Sequence, residues 1–310
     1  ASTNNIYLNR IRHSSKKQVG FAIDEFLDFP ALNKIDIPGD NGLITNIRAK
    51  GSRLFVWQES AIGYIPVGER ALTSGGLEAT IQLGTGDQFL RYDIINETYG
   101  NQDKLSLIET DANWFWFDFY RKTLLMMEFN GQWKPESVLK GMDSYFQNTL
   151  PNRDNMVIRS GYDPKAKVVL FSFIDLIGSA TKTISINTKN GKFNGEHEFV
   201  ADLYSNTLNE LFSVKNDYEL IYLHNQDTGL IYGKSYQCQI SFIVNHQNDE
   251  MKKFMSAIFR GGRTFFDTVK YETMYDFDSG VFLNIVEEAG NTTNYEFVID
   301  EWRAGIPEGD

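Results

Sequence analysis

The chain has 310 residues, of which 42% are hydrophobic and 14% aromatic, a composition typical of folded protein rather than of disordered linkers. The net charge is −11, and residues 208–310 alone hold 17 acidic against 8 basic side chains. Such a surface should repel nucleic acid rather than grip its phosphates. A single cysteine, Cys238, excludes an intramolecular disulfide and a cysteine-based zinc site.

Residues 1–30 show no apolar signal-peptide core and no run of 18 apolar residues, so we expect them to form a polar arm or the cut end of a longer chain. Strand patterns begin after this arm. Residues 43–51, 53–58 and 61–67 predict a meander of three antiparallel strands.

The same pattern then returns three times along the chain. The repeated strands are predicted at residues 104–111, 113–119 and 122–133, then at 155–163, 166–174 and 180–193, and more weakly at 198–206, 210–217 and 218–227. The four units start 61, 51 and 43 residues apart. Antiparallel repeats of this length are typical of β-propeller blades, although a sandwich of meanders fits the same pattern.

Helix is predicted at only two places. Residues 134–150 have an apolar stripe at helical spacing, Pro135 near the start and Pro151 after the end, and residues 248–259 are a weaker candidate. Long alternating strands are predicted at 234–247, 263–275, 280–290 and 294–302.

We therefore predict an all-β protein, an irregular β-propeller-like array of antiparallel meanders with one or two short helices and a C-terminal antiparallel β region. Residues 31–231 would form the blades. Residues 232–310 would form the C-terminal sheet region, which could also be the closing part of the propeller.

No catalytic, cofactor-binding or metal-binding residue is assigned from the sequence. The four histidines lie far apart, and each is expected at the surface or in a turn: His13, His197, His224 and His246. Cys238 has no activating neighbours and is expected to pack within a strand. Residues 84–88, 38–42 and 276–280 bring glycines or carboxylates together, but the patterns for a phosphate loop or a calcium loop are incomplete, so turns are favoured.

Aromatic side chains raise the question of sugar binding, because propellers host glycosidases whose aromatic faces stack on sugars. The relevant residues are Trp57, Tyr64, Trp114 and Trp116. Strand 113–119, however, places Trp114 and Trp116 on one face and Phe115 and Phe117 on the other, a pattern that favours a strand buried on both sides. These residues are therefore expected to pack in the core.

Several segments, taken in order, resemble one known family. They are Asn33–Ile37, Gly42–Thr45, the hairpin with Leu54, Trp57, Gln58, Ile62, Ile65, Pro66 and Val67, then Leu83–Gly86, Tyr99–Gln102, and residues 141–146, 160–173 and 231–245. Together they resemble the tail stabilisation, or muzzle, proteins of crAss-like bacteriophages, over roughly residues 30–300. Asn101 stands where that family has Cys or Asn.

The resemblance implies a β-propeller-like virion protein of the tail, related to the nozzle proteins of short-tailed phages. Such a protein would line or close the DNA exit channel and help retain packaged DNA. Its implied partners are copies of itself in a ring, with a hexamer expected, other tail, ring or portal proteins, and packaged double-stranded DNA held without sequence-specific contacts. It would be assembled in the bacterial cytoplasm, without cofactor and without membrane.

Two other functions fit the residues. A propeller enzyme acting on polysaccharide would need carboxylates that converge in a cleft. A receptor-binding module would use the acidic last third of the chain.

Overall fold

The structure is a computed structural model. It describes residues 6–15, 27–67, 71–75, 79–83, 89, 91–129, 132–138, 142–150, 155–177, 182–207, 209–215, 220–224, 230–235, 256–260, 268–272, 279–284, 295–298 and 301–305. Two compact units divide the chain, residues 1–238 and 239–310. The predicted boundary near residue 232 stays a prediction.

The first unit begins with a two-stranded arm, followed by sheets that are antiparallel throughout. The arm is β1 (Arg10–Arg12) paired with β2 (Lys34–Asp36). The first sheet has the order β3–β4–β5–β8 and is formed by β3 (Ile44–Lys50), β4 (Arg53–Gln58), β5 (Ile62–Pro66) and β8 (Asp93–Asn96), while β6 (Ala71–Gly75) and β7 (Ala79–Leu83) form a separate ribbon.

Three further sheets follow in chain order. The second sheet contains β9 (Ile108–Glu109), β10 (Asn113–Asp118), β11 (Thr123–Glu128) and β12 (Glu136–Ser137), and helix α1 (Asp143–Thr149) follows it. The third sheet contains β13 (Met156–Asp163), β14 (Val168–Asp175), β15 (Lys182–Asn187) and β16 (Phe193–His197). The fourth sheet contains β17 (Leu203–Asn206), β18 (Leu211–Lys215) and β19 (Leu220–Leu223), and β20 (Leu230–Ile231) pairs with β21 (Lys234–Ser235).

The second unit contains two small antiparallel sheets in its described residues. One has the order β22–β26–β25 and the other pairs β23 with β24. The strands are β22 (Ser256–Arg260), β23 (Thr268–Glu272), β24 (Ser279–Asn284), β25 (Tyr295–Val298) and β26 (Glu301–Gly305).

The sheets of the first unit pack face to face in chain order, and β10 shows why. All six of its residues are buried, with Trp114 and Trp116 on one face and Phe115 and Phe117 on the other. The tryptophan face packs on the first sheet against Phe55 and its neighbours, and the phenylalanine face packs on the third sheet. Because both faces are apolar, a neighbouring sheet is needed on each side.

The predicted all-β, propeller-like arrangement is thus confirmed, with consecutive antiparallel sheets that act as blades. The prediction of three strands per unit misses one strand in each of the first three sheets. The first three sheets gain a fourth, outer strand: β8 in the first, β12 in the second and β16 in the third.

The predicted helix at residues 134–150 is wrong in its first half. Glu136 and Ser137 form β12, the outer strand of the second sheet, and Val138 N–H donates to Leu124 O at 3.0 Å. Helix α1 begins only at Asp143 and places Phe146 in the core between the second and third sheets. Residues 136–138 belong to a segment with apolar spacing typical of a helix, but the edge of β11 offers them backbone hydrogen bonds, and they form a strand instead.

Several other strand bounds differ from prediction. Residues 104–106 form a 3-10 turn rather than a strand. The predicted strand 180–193 contains β15 and the turn after it, in which Gly191 has φ of 64°, and β16 begins only at Phe193. Residues 256–259 of the weaker helix candidate lie in strand β22, and residues 248–255 lie outside the described residues.

The third and fourth sheets approach so closely that a glycine is required between them. A Cβ on Gly161 of β13 would lie 2.6 Å from the ring of Tyr204 in β17. The hydroxyl of Tyr204 lies 2.7 Å from Ser172 Oγ, and this hydrogen bond limits how far the ring can move away.

We expect Gly161→Ala to destabilise the protein by about 1–3 kcal/mol, because the added methyl group overpacks this contact. Chemical denaturation followed by tryptophan fluorescence measures the loss. Gly195→Ala is the matched control, since its Cβ would lie 3.7 Å from Ser185, an ordinary contact. Equal effects of the two substitutions would contradict the close approach.

Candidate functional site

The tryptophans that could have formed a sugar platform lie inside the protein. Trp57, Trp114 and Trp116 are each 0% exposed, with ring centroids 5.5 Å apart for Trp57–Trp114 and 5.9 Å for Trp57–Trp116. Tyr64 is half-buried and its ring lies against Phe55 at 6.1 Å. The expectation that these residues pack in the core is confirmed.

Gln58 ends β4 and is the centre of a buried polar site. Its side-chain Nε2 donates to Pro38 O at 2.8 Å and to Gly42 O at 3.0 Å, and its Oε1 accepts from the Tyr92 hydroxyl at 3.2 Å. Burial, with a smaller contribution from Glu97, raises the pKa of Tyr92 to about 12, so this hydroxyl stays a donor. One glutamine therefore ties the first sheet to the segment that follows the arm.

The Tyr99–Gln102 segment meets Gln58 from the other side. Asn101 N–H donates to Gln58 O at 2.9 Å, and Gln102 Nε2 donates to Glu59 O. Gln102 Oε1 in turn accepts from Phe119 N–H at 2.6 Å. The segment thus bridges the end of β4 in the first sheet and the end of β10 in the second.

Asp118 completes the site. Its carboxylate accepts from Gly100 N–H at 2.9 Å, from Gln102 Nε2 at 3.1 Å and from Arg121 N–H at 3.1 Å. Burial raises the pKa of this carboxyl, while the N–H donors act in the opposite direction. We call Gln58, Gly100, Asn101, Gln102 and Asp118 the Gln58–Asp118 junction.

Gly100 is needed for the junction to close. A Cβ at this position would lie 2.3 Å from the backbone oxygen of Glu59, which cannot move without breaking the hairpin. Gly100 O also accepts from Trp116 Nε1 at 3.0 Å, which connects the junction to the aromatic core. Two motifs 41 residues apart in the sequence, at Gln58 and at Tyr99–Gln102, thus meet in one place.

A second polar site lies between the third and fourth sheets. The Ser172 hydroxyl lies 2.6 Å from Thr183 Oγ1 and 2.7 Å from the Tyr204 hydroxyl, and Thr183 Oγ1 donates to Phe199 O at 2.6 Å. Burial raises the pKa of Tyr204, so its hydroxyl remains protonated.

Two histidines extend this site along the sheets. His197 Nε2 lies 2.9 Å from Ser185 Oγ, and His224 Nε2 lies 2.7 Å from Ser213 Oγ, which also accepts from the Tyr232 hydroxyl at 2.6 Å. We call this group the serine–histidine seam; its members are Ser172, Thr183, Ser185, His197, Tyr204, Ser213, His224 and Tyr232.

The prediction of surface or turn histidines is wrong for His197, which ends strand β16, whereas His224 lies in the turn directly after β19, as predicted. Both are partly buried and face buried serines, because cross-strand neighbours in adjacent strands bring them together. No local pattern in the sequence predicts these two contacts, because His197 bonds across a turn and His224 bonds a residue 11 positions away. His13 is half-buried and lies 4.6 Å from Phe89 in an edge-to-face contact.

The seam has the spacing of a nucleophile–base pair but not its exposure. Ser213 is 0% and Ser185 1% exposed, so neither hydroxyl faces solvent or a substrate. Burial lowers the pKa of His197 and lowers that of His224 to about 4, with Asp163 opposing the shift at His224. Both imidazoles are therefore neutral hydrogen-bonding partners at pH 7, and each contacts a serine of its own sheet. The hydrogen bond between Ser172 and Tyr204 is the contact of this group that joins the third sheet to the fourth.

Other sequence candidates give turns or lie outside the described residues. Residues 39–41 form a 3-10 turn, and Gly42 follows at φ of 82°. His246, Cys238, residues 84–88 and residues 276–278 lie outside the described residues. Among the described residues, no three His, Cys, Asp or Glu side chains are grouped closely enough to hold a metal ion. In the same residues no helix has the length and apolar character needed to cross a membrane.

We expect Asp118→Asn to destabilise the protein by about 1–3 kcal/mol, because an amide nitrogen would face N–H donors that now bind a carboxylate oxygen. Denaturation at pH 7 measures the loss. Glu136→Gln, at an exposed position of β12, is the control and should change stability little. If Asp118→Asn has the same free energy of unfolding as the unsubstituted protein, the junction does not stabilise the contact between the first and second sheets.

The lowered pKa of His224 in the serine–histidine seam predicts that the folded protein is less stable at acidic pH. Unfolded histidine binds a proton near pH 6.5, whereas folded His224 does so only near pH 4, so between these values the unfolded state binds more protons. Stability should therefore fall as the pH drops from about 6.5 to about 4. His224→Gln, which keeps a hydrogen-bonding group, should flatten this dependence in denaturation curves at pH 7 and 4.5, and an unchanged slope would contradict the assignment.

Comparison with known proteins identifies a family to which the chain is similar. The family model described as "Crassvirus muzzle protein" matches residues 1–217. The chain is 24% identical to the muzzle protein of Bacteroides phage crAss001 over 98% of its own length, and it spans only 22% of that relative. Among solved structures, the Pan2 WD40 domain of Neurospora crassa aligns with 61% of the chain and 48% of that domain, at 12% identity and a TM-score of 0.35, which is too low to bear on the fold.

The family match includes the arm, the first three sheets and the Gln58–Asp118 junction. It extends through β18 of the fourth sheet. With most of its length matched by the family model, the chain belongs to the crassvirus muzzle protein family.

Proposed function

We propose that the chain is a structural component of the phage tail, where it forms part of the DNA exit channel and helps to retain packaged DNA. One observation carries this proposal. The residues through which the chain resembles its family, Gln58 and Tyr99–Gln102, meet in a buried junction that fastens sheet to sheet. Their polar groups bond other residues of the protein and join one sheet to the next.

The charge of the chain supports a channel role. With a net charge of −11, the surface repels the phosphates of passing DNA and so limits adhesion. Packaged double-stranded DNA would be a neighbour in the channel, contacted without reading its sequence.

The proposed partners are other copies of the chain, arranged in a ring with a hexamer expected, together with ring, portal and other tail proteins. We place the protein in the virion tail after assembly in the bacterial cytoplasm, and assign it no catalytic role. Within the chain, we infer that residues 31–231 form the propeller-like body and residues 232–310 its C-terminal sheet region.

The buried tryptophans bear on the alternative of a polysaccharide-acting enzyme. An aromatic face must be open to stack on a sugar, and Trp57, Trp114 and Trp116 have none exposed. This removes the aromatic feature that favoured that alternative.

The test is to label virions of the encoding phage with an antibody fragment raised against this chain and to image them by electron microscopy. We expect the label at the tail, arranged around the tail axis, in both full and empty particles. Label on the capsid alone, or none on virions, would contradict the proposal. As the specificity control, a peptide that is the epitope of an unrelated antibody fragment is added to the labelling mixture. This peptide should not reduce the label.

A further inference from the structure

Ion pairs join neighbouring sheets of the first unit at one end of the stack. This is the end where the first strand of each sheet turns into the second, and we call it the turn end. The pairs connect consecutive sheets in chain order: Lys50–Glu109 at 2.8 Å between the first and second, Asp111–Lys167 at 2.6 Å between the second and third, and Lys165–Glu210 at 3.6 Å between the third and fourth. We call these three contacts the turn-end ion pairs.

All six side chains of the turn-end ion pairs are partly exposed to solvent, with exposed fractions from 38% to 66%. Lys167 donates to Asp111, and this contact holds the pKa of the Asp111 carboxyl below its ordinary value. The two groups are therefore both charged at pH 7. Attraction between exposed charges weakens with added salt, because the Debye length falls from about 30 Å at 0.01 M to about 3 Å at 1 M.

Different contacts join the same sheets at the opposite end of the stack, which we call the junction end. The Gln58–Asp118 junction lies there, and two further hydrogen bonds follow in chain order: Ile158 N–H to Asp103 Oδ2 at 2.8 Å between the second and third sheets, and the Ser172 and Tyr204 hydroxyls at 2.7 Å between the third and fourth. Arg159 also lies 3.5 Å from Asp103, but these two side chains are only 21% and 24% exposed. Contacts that water reaches so little are screened much less by salt.

We propose that the two ends of the stack respond differently to ionic strength: added salt loosens the turn end, while the junction end stays closed. The turn-end ion pairs then act as a salt-sensitive fastening between consecutive sheets. An exposed ion pair raises the ratio of closed to open states by about twofold to fivefold, and three pairs together by about tenfold. The response is a property of the stack itself and does not depend on the proposed place of the chain in a phage tail.

The overall charge of the chain has an opposite effect that the test must separate. At a net charge of −11, salt also weakens the repulsion between acidic side chains throughout the molecule, which favours the compact state. Global stability therefore mixes two opposing responses to salt. The difference between the two ends within one molecule isolates the response of the turn-end ion pairs.

Native-state hydrogen exchange at pH 7, in about 0.01 M and about 1 M NaCl, measures this difference. The turn-end amides are those of Thr110, Ala166 and Thr207, which donate within the turns that follow β9, β13 and β17. The junction-end amides are those of Gly100 and Asn101, which donate to Asp118 and to Gln58 O. We expect salt to lower the protection of the turn-end amides by about tenfold relative to the junction-end amides.

A variant in which Lys50, Lys165 and Lys167 are all replaced by Gln assigns this response to the ion pairs. Its turn-end amides should exchange in 0.01 M NaCl as fast as those of the unsubstituted chain in 1 M NaCl, with little further change as salt is added. The matched control replaces three exposed lysines outside the turn-end ion pairs, Lys134, Lys189 and Lys192, by Gln. It loses the same charge and should keep the salt response of the unsubstituted chain.

A charge exchange tests one pair alone. Lys165→Glu should speed the exchange of the Thr207 amide at low salt, and adding Glu210→Lys should restore its protection, because opposite charges again face each other. Circular dichroism and melting curves verify that the variants are folded. An equal salt response at both ends, a salt response that persists in the triple Gln variant, or no recovery in the exchanged pair would each overturn the inference.

Discussion

The first unit depends on one constraint, the burial of β10 on both faces. A strand with tryptophan on one side and phenylalanine on the other cannot face water on either side without exposing large apolar rings. It therefore requires a sheet before it and a sheet after it. The chain supplies both, and the stack of consecutive sheets follows from that requirement.

Apolar packing alone does not fix how neighbouring sheets are aligned, and polar contacts contribute to the alignment between each pair of neighbouring sheets. The Gln58–Asp118 junction joins the first and second sheets with directional hydrogen bonds, and the serine–histidine seam joins the third and fourth. Between the second and third sheets an aromatic and aliphatic core is filled by Phe146 of α1. Polar contacts flank this core, because Asp103 accepts from Ile158 N–H at 2.8 Å and Asp111 accepts from the Tyr162 hydroxyl at 2.9 Å. A buried polar group left without its partner is costly, so these sites admit few alternative alignments.

The sequence predicted the strands well where burial decides the residue pattern, as in β4, β10 and β14, because apolar side chains on both faces leave few other structures. It failed where a partner strand far along the chain decides the outcome. Glu136 and Ser137 have a helical context but pair with β11, β8 has only four residues, and β16 is mostly polar, so neither of these outer strands stands out in the sequence. The contacts of the histidines could not be predicted for the same reason, since only the register of β18 and β19 brings His224 to Ser213. The junction was visible as separate motifs, but that Gln58 and Gly100 meet follows only from the fold.

Native-state hydrogen exchange is the most direct measurement of the central claim, that the stack is organised around β10. The amides of Trp114, Phe115, Trp116 and Phe117 should exchange slowest in the first unit and only through global unfolding, because both neighbouring sheets must separate before they open. The short outer strands β12 and β16 should exchange faster. Amides of β10 that exchange as fast as those of β12 would contradict the claim, since they would show that the first and third sheets stay folded without the strand between them.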